Sequence, residues 1–216
     1  QYRPDSPGAD RISSENWWEV LARPGVRIGH SDPAIDPGGY RAVMALQLGR
    51  IPFRGKRLYA EDTYRRLRKN TRVSTDTEIH LRSQLRAGKL DYALYYRSLA
   101  STSGMPWIDL PPEVDLSRPT PEFAEHYARA EVTTPGGTFT GAPIAYGITV
   151  PGSARSPVGG ARWVELMLTE PGRRILRDKG LEPMQPPVIP ERTRSRVPER
   201  VLRHAEARDG LGPLEL

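Results

Sequence analysis

The sequence predicts an α/β chain, an open sheet flanked by helices. Three short apolar runs, Val26 to Gly29, Leu90 to Tyr96 and Ile144 to Val150, suit buried strands. Longer stretches between them carry apolar residues at helical spacing, several opened by a capping side chain or a proline. Strand and helix therefore alternate, as they do around an open sheet.

Ser13 or Ser14 caps a first short helix bearing Trp17, Trp18 and Leu21, which Arg23-Pro24-Gly25 ends. After the Val26 strand, Ser31 to Pro37 is rich in turn formers. Asp36 can then cap a helix with Pro37 at its first position, where no amide donor is needed. Tyr40, Val43, Met44 and Leu48 give that helix one buried face.

Glu61 to Asn70 reads as a helix with Tyr64 and Leu67 inward and Arg65, Arg66, Arg68 and Lys69 on a solvated face. Thr75-Asp76-Thr77-Glu78 fits a capping box for the next helix, stopped by Gly88. The Leu90 strand follows. Thr120-Pro121 starts a helix with Phe123, Ala124 and Tyr127 on one face, and Gly136-Gly137 reads as a hairpin turn between Val132 and Phe139. Trp163, Val164, Met167 and Leu168 form one helix face, and Glu170-Pro171-Gly172 opens a helix with Ile175 and Leu176. From Glu191 the chain is charged and Arg-rich, which predicts a frayed helix or disorder.

Composition narrows the function. The chain has 216 residues, a net charge of +6 and no cysteine, so disulfides, thiol catalysis and cysteine zinc sites are excluded. No window is long and apolar enough to cross a bilayer. The chain begins with Gln rather than Met and shows no signal peptide, which leaves its location open. The basic residues are nearly all Arg and are scattered among acids without interleaved aromatics, a pattern that argues against nucleic acid as a partner. His30, His80, His126 and His204 lack metal-ligand spacing. No Ser/His/Asp order, phosphate-binding loop or dinucleotide fingerprint occurs, so no enzyme is expected.

Asn16 to Arg41 is the most informative stretch. A strand, a turn and a helix start follow in order, and at that start the amides of Gly38 and Gly39, with no Cβ to obstruct them, can approach an anion. The residues alone leave a blander reading open, in which Asp36 only caps its helix, Glu78 only closes its capping box and Tyr96 is a core or rim tyrosine.

The paired tryptophans, the RPxVRxGxSDP strand and the DPxGYR helix start resemble the second lobe of the molybdate/tungstate-binding proteins that serve ABC transporters. The resemblance continues through Thr77-Glu78, Leu90 to Ser98 and Pro143 to Val150, over residues 12 to 190. It implies a periplasmic-binding-protein-like fold of type II, divided into a partial first lobe with a crossover helix (1–25), a second lobe (26–142), a returning strand with C-terminal first-lobe helices (143–190) and the Arg-rich tail (191–216).

The ligand so implied is tungstate or molybdate, with no cofactor and no catalytic residue. Asp36, Pro37, Gly38, Glu78 and Tyr96 would bind the anion, with Gly39 as an additional donor. Asp36 and Glu78 would ligate the central metal itself, which expands from four to six oxygen ligands, as in archaeal members; sulfate and phosphate cannot expand so.

The partners implied are a membrane permease and, through it, an ATPase. The location implied is periplasmic or extracellular, with a lipid anchor preceding Gln1. An oxyanion-sensing module that regulates a partner or nucleic acid is the alternative. In the family the first lobe opens with a strand and a Gly-Ser turn, and this sequence starts beyond that point. The expectation is therefore a truncated receptor that binds weakly or not at all on its own.

Overall fold

The computed structural model describes residues 1–75 and 77–209, which divide into two compact units, Gln1–Ile144 and the segment from Ala145 onward. In the first unit α1 (Trp17–Leu21) leads into β1 (Ile28–Ser31), α2 (Pro37–Leu48), α3 (Glu61–Asn70), β2 (Thr71–Thr75), α4 (Glu78–Arg86), β3 (Tyr92–Ala93) and α5 (Arg97–Ala100). α6 (Pro121–Tyr127) and the hairpin of β4 (Glu131–Thr134) and β5 (Gly137–Thr140) complete it.

The main sheet has the order β2-β1-β3, all parallel, with every residue of β1 buried. The chain passes from β1 to β2 on one side and then crosses back over β1 to reach β3. That reversal is a topological switch point, and the crevice for a ligand in such sheets lies beyond the carboxyl ends of the strands. Here that is the end of β1, where α2 and α4 begin.

Several elements differ from the sequence reading. β1 starts two residues later than expected, because the Arg27 amide and guanidinium are taken by the buried Asp91 carboxylate (2.8, 3.0 and 2.6 Å), which ties the start of β1 to the start of β3. The Leu90 to Tyr96 strand shrinks to Tyr92–Ala93. β2 was not expected at all, although Thr71, Val73 and Thr75 alternate as strand residues do. α1 is entered from Asn16 rather than from Ser13 or Ser14. The capping box fails too: Thr77 is the cap of α4, which makes Glu78 its first residue rather than its third. Asp76 of that motif lies outside the described residues.

The core of this unit gathers Trp17, Val20, Leu21, Ile28, Val43, Met44, Leu46, Leu48, Tyr59 and Leu67. Trp17 meets Trp18 and Tyr59 edge-on, each with ring centres 5.9 Å apart, a preferred aromatic arrangement. The Tyr59 hydroxyl donates to the Leu46 carbonyl at 2.7 Å, so the ring is anchored at its polar end. At the end of α3 the buried Asn70 amide donates to the carbonyls of Leu21 and Arg23 (2.8 and 2.7 Å), which satisfies the carboxyl end of α1. A second cluster, Leu81, Leu85, Leu90 and Ala93, seats α4 on the sheet.

The second unit contains α7 (Pro157–Leu168), α8 (Glu170–Asp178), β6 (Val188–Pro190), a 3-10 turn at Glu191–Arg196, α9 (Glu199–Leu202) and β7 (Glu206–Arg208). β6 and β7 pair in parallel, so the expected frayed or disordered tail has structure as far as Asp209; residues 210–216 lie outside the described residues. The strand expected from Ile144 to Val150 does not form. Among the described residues no strand pairs with it, and Tyr146 and Ile148 stand exposed. Val164 is buried, and Trp163 and Ile175 are exposed, as expected of helix faces without their neighbours. No described helix is long and apolar enough to cross a membrane.

Replacing Asn70 with Ala leaves two carbonyls in or near the core without their donor. The expected loss is about 1–3 kcal/mol in urea unfolding, and a loss under about 0.5 kcal/mol would mean that water takes over both bonds.

Candidate functional site

Asp32, just after β1, shapes the loop that delivers the site. Its side chain accepts from the Ala34 amide (2.8 Å) and its carbonyl accepts from the amides of Ile35 and Asp36 (3.1 and 2.8 Å). The turn places Asp36 at the cap of α2 with Pro37 in the first turn, as the sequence predicts. Asp36 Oδ1 accepts from the Gly38 amide at 2.9 Å, and Oδ2 accepts from the Glu78 amide at 3.0 Å. One carboxylate therefore caps α2 and α4 together, where both helix dipoles favour negative charge.

The expectation that the Gly38 and Gly39 amides stand free is corrected by these bonds. Asp36 takes the first with its side chain and the second with its carbonyl (2.9 Å), because the capping residue is itself the nearest acceptor. The two glycines have different work. A Cβ on Gly38 would fall 1.8 Å from Glu78 Oε1, so the missing side chain is the space in which the Glu78 carboxyl lies. A Cβ on Gly39 would fall 2.4 Å from the Ser31 carbonyl oxygen and 2.7 Å from the Asp32 backbone, so Gly39 lets α2 approach the end of β1.

Glu78 is the unsatisfied member. Its Oε1 is buried with no hydrogen-bond partner among the described residues. Burial first, and then the Asp36 carboxylate, push its carboxyl up to about 7, while Arg41 pulls the other way. The Ser31 hydroxyl, at the end of β1, is likewise buried and unpartnered among the described residues. Tyr96 caps α5, and its hydroxyl oxygen accepts from Arg41 Nη1.

The structure thus brings Asp36, Pro37, Gly38, Gly39 and Glu78 to one end of the sheet, and Tyr96 is joined to the same helix through Arg41. Sequence reasoning passed over Arg41 and Ser31. Arg41 was legible as the one cation in the helix that Asp36 opens; Ser31 stands in the quoted strand motif but was read only as a turn former. His30 is buried beside its own strand, with Nδ1 2.6 Å from the Ser31 carbonyl, and burial lowers its basicity. Among the described residues no group of three or more His, Asp or Glu is placed to hold a metal cation.

An open parallel sheet with two helix starts gathered at its switch point has the setting in which ligands bind to such sheets. Residues 2–182 match the family of bacterial extracellular solute-binding proteins, and the chain belongs to that family. It is 35% identical, over 92% of its length, to an uncharacterized solute-binding protein of Methanoculleus marisnigri. It is also 35% identical, over 86%, to one of Petrotoga mobilis. At 30% identity over 92% of the chain it is similar to a protein of Thermococcus kodakarensis named molybdate/tungstate-binding protein WtpA. The chain covers 61, 58 and 62% of those three relatives, roughly three fifths of their length.

Two predictions follow from this geometry. Because the Glu78 carboxyl holds its proton more tightly folded than unfolded, its contribution to stability is full below pH 4.5 and declines as pH rises towards 7. Carboxyl NMR should place its midpoint near 7, Asp36→Asn should lower that midpoint by removing the neighbouring charge, and Glu78→Gln should abolish that part of the pH dependence of unfolding. Of the two glycines, Gly39→Ala should cost about 1–3 kcal/mol, since backbone must move. Gly38→Ala should cost less and show itself as a displaced Glu78 carboxyl, and equal losses in thermal unfolding would contradict the assignment of roles.

Proposed function

We propose that the chain is the solute-binding component, or part of it, of an uptake system for tungstate or molybdate. The observation that carries this is the buried Glu78 oxygen, unpartnered among the described residues, beside Asp36 at the starts of α2 and α4. Two carboxylates crowded together are a poor receptor for a dianion as such. They suit an oxyanion whose central metal accepts further oxygen ligands, because each carboxylate then gives electron pairs to the metal rather than facing the anion's oxygens. Each Asp36 oxygen spends one lone pair on an amide and retains another. In this reading Asp36 and Glu78 ligate molybdenum or tungsten, and Tyr96 donates to an oxygen of the anion. Pro37, Gly38 and Gly39 form the surface against which the anion rests.

The name of the Thermococcus relative supports the choice of solute, and the family description supports a location outside the cytoplasm. From these we infer a periplasmic or extracellular protein without enzymatic activity. It would hand its solute to a membrane permease driven by an ATPase, with type II binding-protein lobes and, by the sequence resemblance, a lipid anchor.

The test is an NMR titration of the 216-residue chain with sodium tungstate, molybdate, sulfate and phosphate, carried to millimolar anion. Tungstate and molybdate should shift the amides of Gly38, Gly39 and Glu78 saturably. Glu78→Gln should weaken that binding at least about tenfold, which corresponds to roughly 1.4 kcal/mol. Equal responses to sulfate, or an unchanged affinity in Glu78→Gln, would overturn the metal-ligation reading.

A further inference from the structure

Within the oxyanion reading, on which this inference rests, we propose that the Ser31 hydroxyl is a further binding group of the site, donating to an oxygen of the bound tungstate or molybdate. The need for such a donor follows from the amides. A tetrahedral dianion loses water on entering a crevice, and its oxygens must find donors there. The amides gathered at the two helix starts are already taken: Gly38 bonds to the Asp36 side chain, Gly39 to the Asp36 carbonyl and Glu78 to Asp36 Oδ2. The carboxylates offer electron pairs to the metal, not protons to the oxygens around it.

Ser31 has a proton to give. It is the last residue of β1 and only 1% exposed, and its Oγ has no hydrogen-bond partner among the described residues. The pleat puts its side chain on the same face of β1 as Gly29, whose absent Cβ would meet Leu90 and Ser74. Leu90 belongs to the cluster that seats α4, so this is the face α4 covers, and Ser31 stands at the end where α4 begins. Beside it the ladder is interrupted: His30 pairs with Val73 but Ser31 with Thr75, which leaves Ser74 as an extra residue. Such interruptions recur next to active sites.

The first turn of α2 closes the other side. Gly39 lies against the Ser31 carbonyl, and Gly38 leaves the room in which the Glu78 carboxyl lies. Ser31 and Glu78, each with a buried oxygen lacking a partner among the described residues, therefore adjoin successive positions of one helix start. A buried hydroxyl without an acceptor gains nothing for the empty protein, so its removal should be neutral or stabilising there. Bonded to an anion it is a charge-assisted donor and among the stronger hydrogen bonds. A binding role and a packing role thus predict different effects of the same substitution.

The experiment compares wild type with Ser31→Ala, a small change in volume, in the 216-residue chain. Urea unfolding is read without anion, and affinity by the titration above with sodium tungstate and sodium molybdate. Ser31→Ala should unfold at the same or a higher urea concentration than wild type, yet bind both anions about tenfold or more weakly. In the wild-type chain the Ser31 Cβ resonance should shift with tungstate at the same midpoint as the amides of Gly38, Gly39 and Glu78.

Wild-type affinity in Ser31→Ala, a Ser31 resonance that stays still while those amides titrate, or a lower urea midpoint for Ser31→Ala without anion would overturn the inference and leave the oxyanion reading intact. Absence of tungstate binding by the wild-type chain would overturn the oxyanion reading and this role with it.

Discussion

The Asp36 carboxylate is the constraint on which the site depends. α2 follows the central strand directly, α4 follows an edge strand, and forty-one positions of chain separate their starts. One side chain accepts an amide from each. A bond from an amide to an ionised acceptor contributes about 1.5–3 kcal/mol, and each helix start adds up to roughly 1 kcal/mol of dipole attraction at a partly exposed position. These gains are comparable to a sizeable share of a domain's net stability. They also fix geometry: with Asp36 holding both ends, the first residue of α4 must sit over the first turn of α2.

That placement creates the tension at Glu78. As first residue of α4 its side chain has little choice but to lie against α2, and Gly38 supplies the room. The carboxyl is thereby moved out of water and towards a like charge, both of which favour its protonated form. Among the described residues this oxygen has no partner, at a place where burial makes one most needed. Local violations of this sort concentrate where a protein acts on something else. Arg41 offsets part of the charge without bonding to the carboxylates, because its bond goes to Tyr96.

Legibility from sequence followed the range of the interactions concerned. The Asp36-Pro37 helix start and the Glu61–Asn70 helix could be read because caps, proline and periodicity act within one turn. The gathering of Asp36 with Glu78 depended on family resemblance, since the residues alone left both as ordinary caps. β2 was missed because its alternating Thr and Val sit among charged residues, and the paired register with β1 is a long-range fact. The Ile144–Val150 run shows the converse. Apolar composition permits a strand but cannot supply a neighbour, and without one in the described chain residues 145–149 form no strand and stand exposed. The capping box failed for a related reason: Thr75-x-x-Glu78 has the right spacing, but pairing with β1 keeps Thr75 in the strand, so the helix starts later.

The amides of Gly38 and Gly39 change what such a site can be. A helix start with free amides is a general anion cradle, open to sulfate and phosphate as readily as to any other oxyanion. Here the cap has been filled from within, by a carboxylate that turns the same position into a source of electron pairs. On the proposed reading the positive end of the helix does not meet the solute directly; it stabilises the carboxylate that would. A ligand that only needed positive potential would meet Asp36 and be repelled. One with a Lewis-acidic centre would find two oxygen donors already crowded together, one of them lacking a partner among the described residues. Discrimination would then arise from the carboxylates' hostility to ordinary dianions as much as from their affinity for a metal centre. On the proposed reading, an internal cap that at first sight occupies the anion site is thus compatible with an anion receptor of narrow specificity.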